Sequence, residues 1–208
     1  ICACLVGSEM CIRDSTYTVS EIERVLHVAF RLAMSRRRHL TVVDKANVLE
    51  TSRFWREIAQ QLAPQYPEVE LDFMFVDNAA MQIVRQPTHF DVIVTENMFG
   101  DILTDEASVI SGSLGMLSSA SVGAEVALFE PIHGSYPQAA GKNIANQMAT
   151  ILSAAMLPEP LGLDTEGSAV RAAVDRALTE GVVTEDLAAQ GERRYSTSEV
   201  GDFIAAHI

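Results

Sequence analysis

An α/β fold is what this sequence predicts, and three observations predict it. Short apolar runs of strand length alternate with amphipathic stretches of helical period. Polar residues able to do chemistry come directly after several of those runs, where an α/β sheet gathers its functional groups. Hydrophobic residues make up 48% of 208 positions, enough for a packed core. In chain order, Ser20-Glu21-Ile22-Glu23 reads as a capping box, with Ile22, Val25, Leu26, Ala29 and Ala33 at helical spacing behind it. Leu40 to Val43 is a short apolar strand. Thr51 to Leu62 carries Trp55, Ile58 and Leu62 on one helical face before Pro64 and Pro67. Val69, Leu71, Phe73 and Phe75 alternate as a strand, Asn78 to Val84 is helical, and Phe90 to Val94 is a further strand.

Near Gly112 the character changes. Ser111-Gly112-Ser113-Leu114-Gly115 and Ser118-Ser119-Ala120-Ser121 are rich in turn residues, followed by a strand over Val126 to Phe129 and a loop from Glu130 to Asn146. A helix over Ala145 to Leu157 ends at Pro158 and Pro160, and Ala169 to Leu178 and Glu199 to Ile204 are further amphipathic helices. The expected organisation is a leader over residues 1–15, a central domain over 16–111, and the C-terminal part of a cofactor domain over 112–208. The leader shows neither strand nor helix period. It holds all three cysteines, Cys2, Cys4 and Cys11, which lack a fourth ligand at zinc-site spacing.

A net charge of −13 argues against a general nucleic-acid or anionic-membrane binder, which needs a basic face. Arg36, Arg37 and Arg38, the only basic run, read as a helix C-terminus and its solvated turn. No apolar run approaches the ~20 residues of a membrane span, so a soluble, cytoplasmic protein is expected.

Four segments carry candidate chemistry. In Thr95-Glu96-Asn97-Met98-Phe99-Gly100-Asp101-Ile102-Leu103-Thr104-Asp105, two carboxylates stand one helical turn apart just after a strand. Like charges at that spacing repel, and a hard divalent cation would turn the repulsion into attraction. The plainer alternative is that Asp101 caps a helix and Asp105 lies on a solvated face. In Val43-Asp44-Lys45-Ala46-Asn47, a strand releases Lys45, able to relay a proton, and Asn47, able to hold an amide or carbonyl, although a surface lysine there is ordinary. Asp77, after Phe75-Val76, is either a third acid at the same sheet edge or a helix N-cap. In Glu130 to Asn146, glycines and small residues would admit a ligand to the backbone, and His133 and Asn146 carry groups able to bond an adenine edge or ribose; a generic loop is the alternative. No G-x-G-x-x-G fingerprint is present.

These segments, with Gly112-Ser113-Leu114-Gly115-Met116, occur in an order that resembles the metal-dependent β-decarboxylating dehydrogenases, the isocitrate/isopropylmalate dehydrogenase family, from about Tyr17 onward. The resemblance implies that family's sheet with flanking helices, truncated at the N-terminus. It also implies NAD-dependent oxidative decarboxylation of an alkyl-bearing malate, isopropylmalate first, in leucine biosynthesis. Isocitrate or tartrate are the alternative substrates, and a non-catalytic subunit the alternative class. By the same resemblance Lys45 and Asp77 would be catalytic, and Asp77, Asp101 and Asp105 would hold Mg²⁺ or Mn²⁺. Asn47, Glu130, His133, Gly134, Ser135, Gln138 and Asn146 would contact the cofactor. A homodimer is implied, with Lys45 and Asp77 reaching across to the aspartate pair of the other subunit.

Two departures stand out. The family's amino-terminal region, with its substrate-binding arginines and catalytic tyrosine, has no counterpart, so little or no activity is expected of these 208 residues alone. Gln138 stands where NAD-using relatives carry an acid; with no basic residue in its place, NAD remains the expected cofactor.

Overall fold

The computed structural model describes residues 16–123, 125–157 and 162–208; the expected leader lies outside them. The chain forms two compact units, one ending at Ala107 and the other starting at Ser108, a turn earlier than the break expected after Ser111.

The first unit runs α1 (Val19–Met34), β1 (His39–Asp44), α2 (Glu50–Leu62), β2 (Glu70–Phe75), α3 (Val76–Arg85), β3 (Val92–Thr95) and α4 (Asn97–Ser108). Its strands form one parallel sheet in the order β2-β1-β3. A central strand of such a sheet is covered on both faces, and β1 is accordingly buried from Leu40 to Asp44. Leu40 and Val42, with Val92 and Val94, pack under Ile22, Leu26, Phe30 and Ala33 of α1 and Trp55, Ile58 and Leu62 of α2. Val43 turns the other way, toward Met74, Ala79, Ile83 and Leu103. Alternate residues of one strand thus serve two cores, and all three strands end at the same edge.

The capping box of α1 uses Thr18 and Glu21, not Ser20 and Glu23. The Thr18 N–H donates to Glu21 Oε2 at 2.7 Å, and the Glu21 N–H returns to Thr18 Oγ1 at 3.4 Å. Both tetrads have the required spacing. Burial decides between them: Tyr17 stacks edge-on against Trp55 at 5.3 Å, which draws the helix start back to Thr18.

The arginine run does more than close a helix. Arg36 Nε donates to Asp91 Oδ1 at 3.0 Å, and the Arg37 N–H donates to Asp91 Oδ2 at 2.8 Å. Arg38, in the left-handed region at φ 64°, pairs with Glu68 at 2.8 Å. Asp91 precedes β3 and its side chain is 1% exposed. Burial raises its pKa, but the Arg36 hydrogen bond and the N–H groups of His39 and Arg37 outweigh that and leave it below its ordinary value.

The second unit holds a hairpin, β4 (Ser118–Val122) and β5 (Ala127–Pro131), then α5 (Met148–Ala154), α6 (Asp164–Thr179) and α7 (Thr197–Ala205). Its core is Met148, Ala173, Val174, Ala177, Val182, Val183, Val200 and Ile204. The turn-rich stretch expected at Ser118–Ser121 is strand, antiparallel to β5 from Ser118 opposite Pro131 to Val122 opposite Ala127. Small residues with weak strand preference take that form because pairing to β5 satisfies their backbone. Among the described residues no helix is long and apolar enough to cross a membrane.

Candidate active site

In the first unit the candidate residues lie at the C-terminal edge of the parallel sheet. β1 and β2 run in register to Asp44 and Phe75, so the residues that follow each strand emerge side by side. The Lys45 ammonium donates to Asp77 Oδ1, joining the two strand ends. That hydrogen bond is the main reason the Asp77 carboxyl is held below its ordinary pKa. Asp77 is not a helix N-cap: Phe75 occupies that position, and Asp77 lies inside the first turn of α3. Asn47 is exposed in the tight turn that the Val48 and Leu49 N–H groups close on the Lys45 carbonyl, both at 2.9 Å.

Asp101 and Asp105 lie within α4, which begins at Asn97, so Asp101 does not cap it. Four residues apart, they share one helix face, and both are exposed. The start of this helix is tied to Tyr17, whose hydroxyl donates to Glu96 Oε2 at 3.1 Å and accepts the Asn97 N–H at 3.4 Å. Among the described residues, no three His, Cys, Asp or Glu side chains gather closely enough to hold a metal ion. Asp77, Asp101 and Asp105 therefore do not form a three-ligand cluster within one chain, because the strand positions that give each its place also keep Asp77 with Lys45.

The second unit holds the remaining candidates. Glu130 is exposed in β5, and Ser135 and Gln138 are exposed beyond it, Gln138 in a 3₁₀ turn over Pro137–Ala139. His133 Nδ1 lies 3.0 Å from the Gly134 carbonyl, while its Nε2 is shielded from solvent without a hydrogen-bond partner. A side chain on Gly134 would meet nothing within 4 Å, so the backbone there is open to approach.

The Asn146 side chain is engaged within the chain. Nδ2 donates to Asp186 Oδ2 at 3.0 Å, and Oδ1 accepts the Met148 N–H at 2.9 Å, which starts α5 later than the Ala145 expected. Asp186 also accepts from the Ser113 and Thr184 hydroxyls. Burial pushes its pKa up, and the bonds from Ser113, Thr184 and Asn146 bring it below the ordinary value. Asp186 links the Ser113 turn to Asn146, and no local pattern marks it: it lies 40 residues from the asparagine it holds.

Compared with known proteins, the chain matches the isocitrate/isopropylmalate dehydrogenase description from residue 4 to residue 204. The chain belongs to the isocitrate/isopropylmalate dehydrogenase family. Among members of that family it is similar to 3-isopropylmalate dehydrogenase of Bacteroides fragilis, 59% identical over 192 residues, 92% of this chain and 54% of that protein. The enzyme of the same name from Desulfitobacterium hafniense is 57% identical over 194 residues, 93% of this chain and 55% of that protein. A crystal structure of isocitrate dehydrogenase from Methylococcus capsulatus superposes with a TM-score of 0.84 at 38% identity, covering 92% of this chain and 57% of that one. The β-decarboxylating dehydrogenase of Thermococcus kodakarensis, in its apo form, gives 0.83 at 41% identity, over 92% and 56%. The chain thus spans about half the length of the family members it matches, and it shares their parallel-sheet α/β architecture.

Proposed function

We propose that this chain supplies part of the active site of an NAD-dependent, metal-assisted dehydrogenase that oxidatively decarboxylates 3-isopropylmalate to 2-oxoisocaproate in cytoplasmic leucine biosynthesis. The observation that carries this reading is the sheet edge: a Lys45–Asp77 pair on adjacent strand ends, and an Asp101/Asp105 pair one helical turn apart after the third strand. The name shared by the Bacteroides fragilis and Desulfitobacterium hafniense relatives supports 3-isopropylmalate over isocitrate as substrate.

The donor sets fit the implied groups. Two exposed carboxylates on one helix face are what a hard divalent cation takes from a protein that also leaves room for substrate oxygens. The sheltered, unpartnered His133 Nε2 and the open backbone at Gly134 suit a polar cofactor edge. When bound, the cation draws electron density from the substrate's hydroxyl and carboxylate oxygens, and NAD takes up the hydride. In this reading Lys45 moves a proton at Nζ, Asp77 holds that ammonium in place, and Asp101 and Asp105 orient the ion. In the second unit Glu130, Ser135, Gln138 and Asn146 would contact the cofactor, and in the first unit Asn47 would do so.

The family resemblance gives the ion a third acid, Asp77, which a second copy would supply, since among the described residues of one chain Asp77, Asp101 and Asp105 form no cluster. Met81 and Val84 of α3 and Met98 and Ile102 of α4 are exposed apolar residues on the helices that carry Asp77 and Asp101. An apolar exposed face beside an incomplete site favours a homodimer with shared centres.

Mn²⁺ binding, followed by water-proton relaxation together with sedimentation of the same samples, tests this reading. Dimeric chain is expected to bind the ion, and Asp101→Asn to weaken it at least about tenfold; unchanged affinity would remove the metal site and the enzyme reading with it. Turnover with Mg²⁺, NAD and isopropylmalate is expected to be at background for these 208 residues alone, since relatives use nearly twice the length; normal rates would refute that expectation.

A further inference from the structure

Arg56, in the middle of α2, reaches the ends of two neighbouring strands at once. Its Nε and Nη2 donate to Asp44 Oδ2 and Oδ1, both at 2.9 Å, a two-bond fork that fixes the planes of both groups. Its guanidinium carbon stands 4.9 Å from the Phe73 ring centroid and 5.4 Å from that of Phe75. Asp44 ends β1 directly before Lys45, Phe75 ends β2 two residues before Asp77, and the two are register partners. One side chain therefore grips the last residue of each strand that presents half of the Lys45–Asp77 pair.

The rest of α2 follows the same pattern. Ser52 Oγ accepts the Lys45 N–H at 3.0 Å, Arg53 Nε donates to the Ala46 carbonyl at 2.8 Å, and Asp44 Oδ1 accepts the Ala46 N–H at 2.9 Å. The Asp44 side chain is only 3% exposed. A buried ion pair is weak evidence for stability, since apolar residues of similar volume serve as well. What this one supplies is orientation: a planar fork held on one carboxylate and set over two rings is confined in a way that a lysine does not reproduce.

We propose that Arg56 is a positioning residue that aligns the ends of β1 and β2 so that Lys45 Nζ rests on Asp77. The chemical use of that alignment rests on the dehydrogenase reading above; the alignment itself does not.

Lys45 and Lys142 are the only lysines in the chain, and Lys142 is exposed, so it serves as an internal reference. Competitive labelling with trace acetic anhydride, read by peptide mass spectrometry, should find Lys45 slower than Lys142 in the unaltered chain. Arg56→Lys keeps the charge and loses the fork. The double variant D44N/R56M removes the pair without leaving a buried charge alone. In both, the Lys45 to Lys142 labelling ratio is expected to rise about two- to fivefold, the effect of losing one exposed ion pair. D77N alone should give the same rise, and R56K added to D77N no further rise. An unchanged ratio in variants whose melting shows them folded would overturn the proposal, as would an equal further rise in the D77N background, which marks general loosening. R56K decides alone if the double variant does not fold. No metal or turnover enters this readout, so a failed Mn²⁺ titration counts against the enzyme reading and leaves this result standing.

Discussion

Replacing Asp91 with alanine is expected to cost the first unit about 1–3 kcal/mol, the penalty for leaving hydrogen-bond donors without their buried acceptor, since Arg36 and Arg37 themselves reach solvent. The acid closes three connections at once: to the Arg36 side chain, to the Arg37 N–H, and to the His39 N–H that begins the central strand. Its loss leaves those donors at the mouth of the sheet without their acceptor. The pH dependence follows from the lowered folded-state pKa. The unfolded chain, with an ordinary carboxyl, takes up its proton first as the solution is acidified. The stabilisation is therefore complete above about pH 4, the unfolded value, and is lost as pH falls through the lower folded value. Urea unfolding of the chain and of Asp91→Asn should show the variant less stable at pH 7, with the gap shrinking in strong acid. A gap that stays constant down to about pH 2 would show that titration of Asp91 contributes nothing.

Gly115→Ala is expected to disrupt the second unit at Asn146. A Cβ at position 115 would lie 2.7 Å from the Asn146 Cβ, 2.8 Å from its Cγ and 3.0 Å from its Nδ2. The nearest obstruction is the root of the asparagine side chain, which no rotamer change moves, so one backbone must shift. The shift would strain the bonds from Asn146 to Asp186 and from the Met148 N–H to Asn146, and with them the start of α5. Overpacking of this kind costs about 1–3 kcal/mol, or roughly 4–8 °C of melting temperature per kcal/mol for a unit this size. Amide exchange should locate the damage at Met148; full protection there with an unchanged melting temperature would contradict the close packing.

The order of strands and helices in the first unit was legible because each element carries its own period. Leu40 to Val43 and Phe90 to Val94 are apolar enough to read as buried strands, and the Trp55, Ile58, Leu62 stripe has only a helical explanation. The placement of Lys45 and Asp77 at neighbouring strand ends was legible for the same reason: in a parallel sheet, residues that follow successive strands come out at one edge. Other features were not legible. The cap of α1 had two equivalent tetrads two residues apart, and Tyr17 packing on Trp55, far away in sequence, chose between them. Strand β4 had turn-forming residues and became a strand through its partner. The Arg56–Asp44 fork and the Asp186 hub join residues whose local context is unremarkable.

By itself, the sequence determined the alternation of elements in the first unit, the position of Lys45 and Asp77 just past two strands, and the one-turn spacing of Asp101 and Asp105 after a third, all of which depend on the spacing of residues along one segment. Only the tertiary structure decided which acid meets which base. It paired Lys45 with Asp77, set Asp101 and Asp105 on an exposed helix face, and committed the Asn146 side chain to Asp186. The physical reason is range: periodicity is a property of neighbours in the chain, whereas a hydrogen bond between side chains tens of residues apart exists only once separate elements have packed.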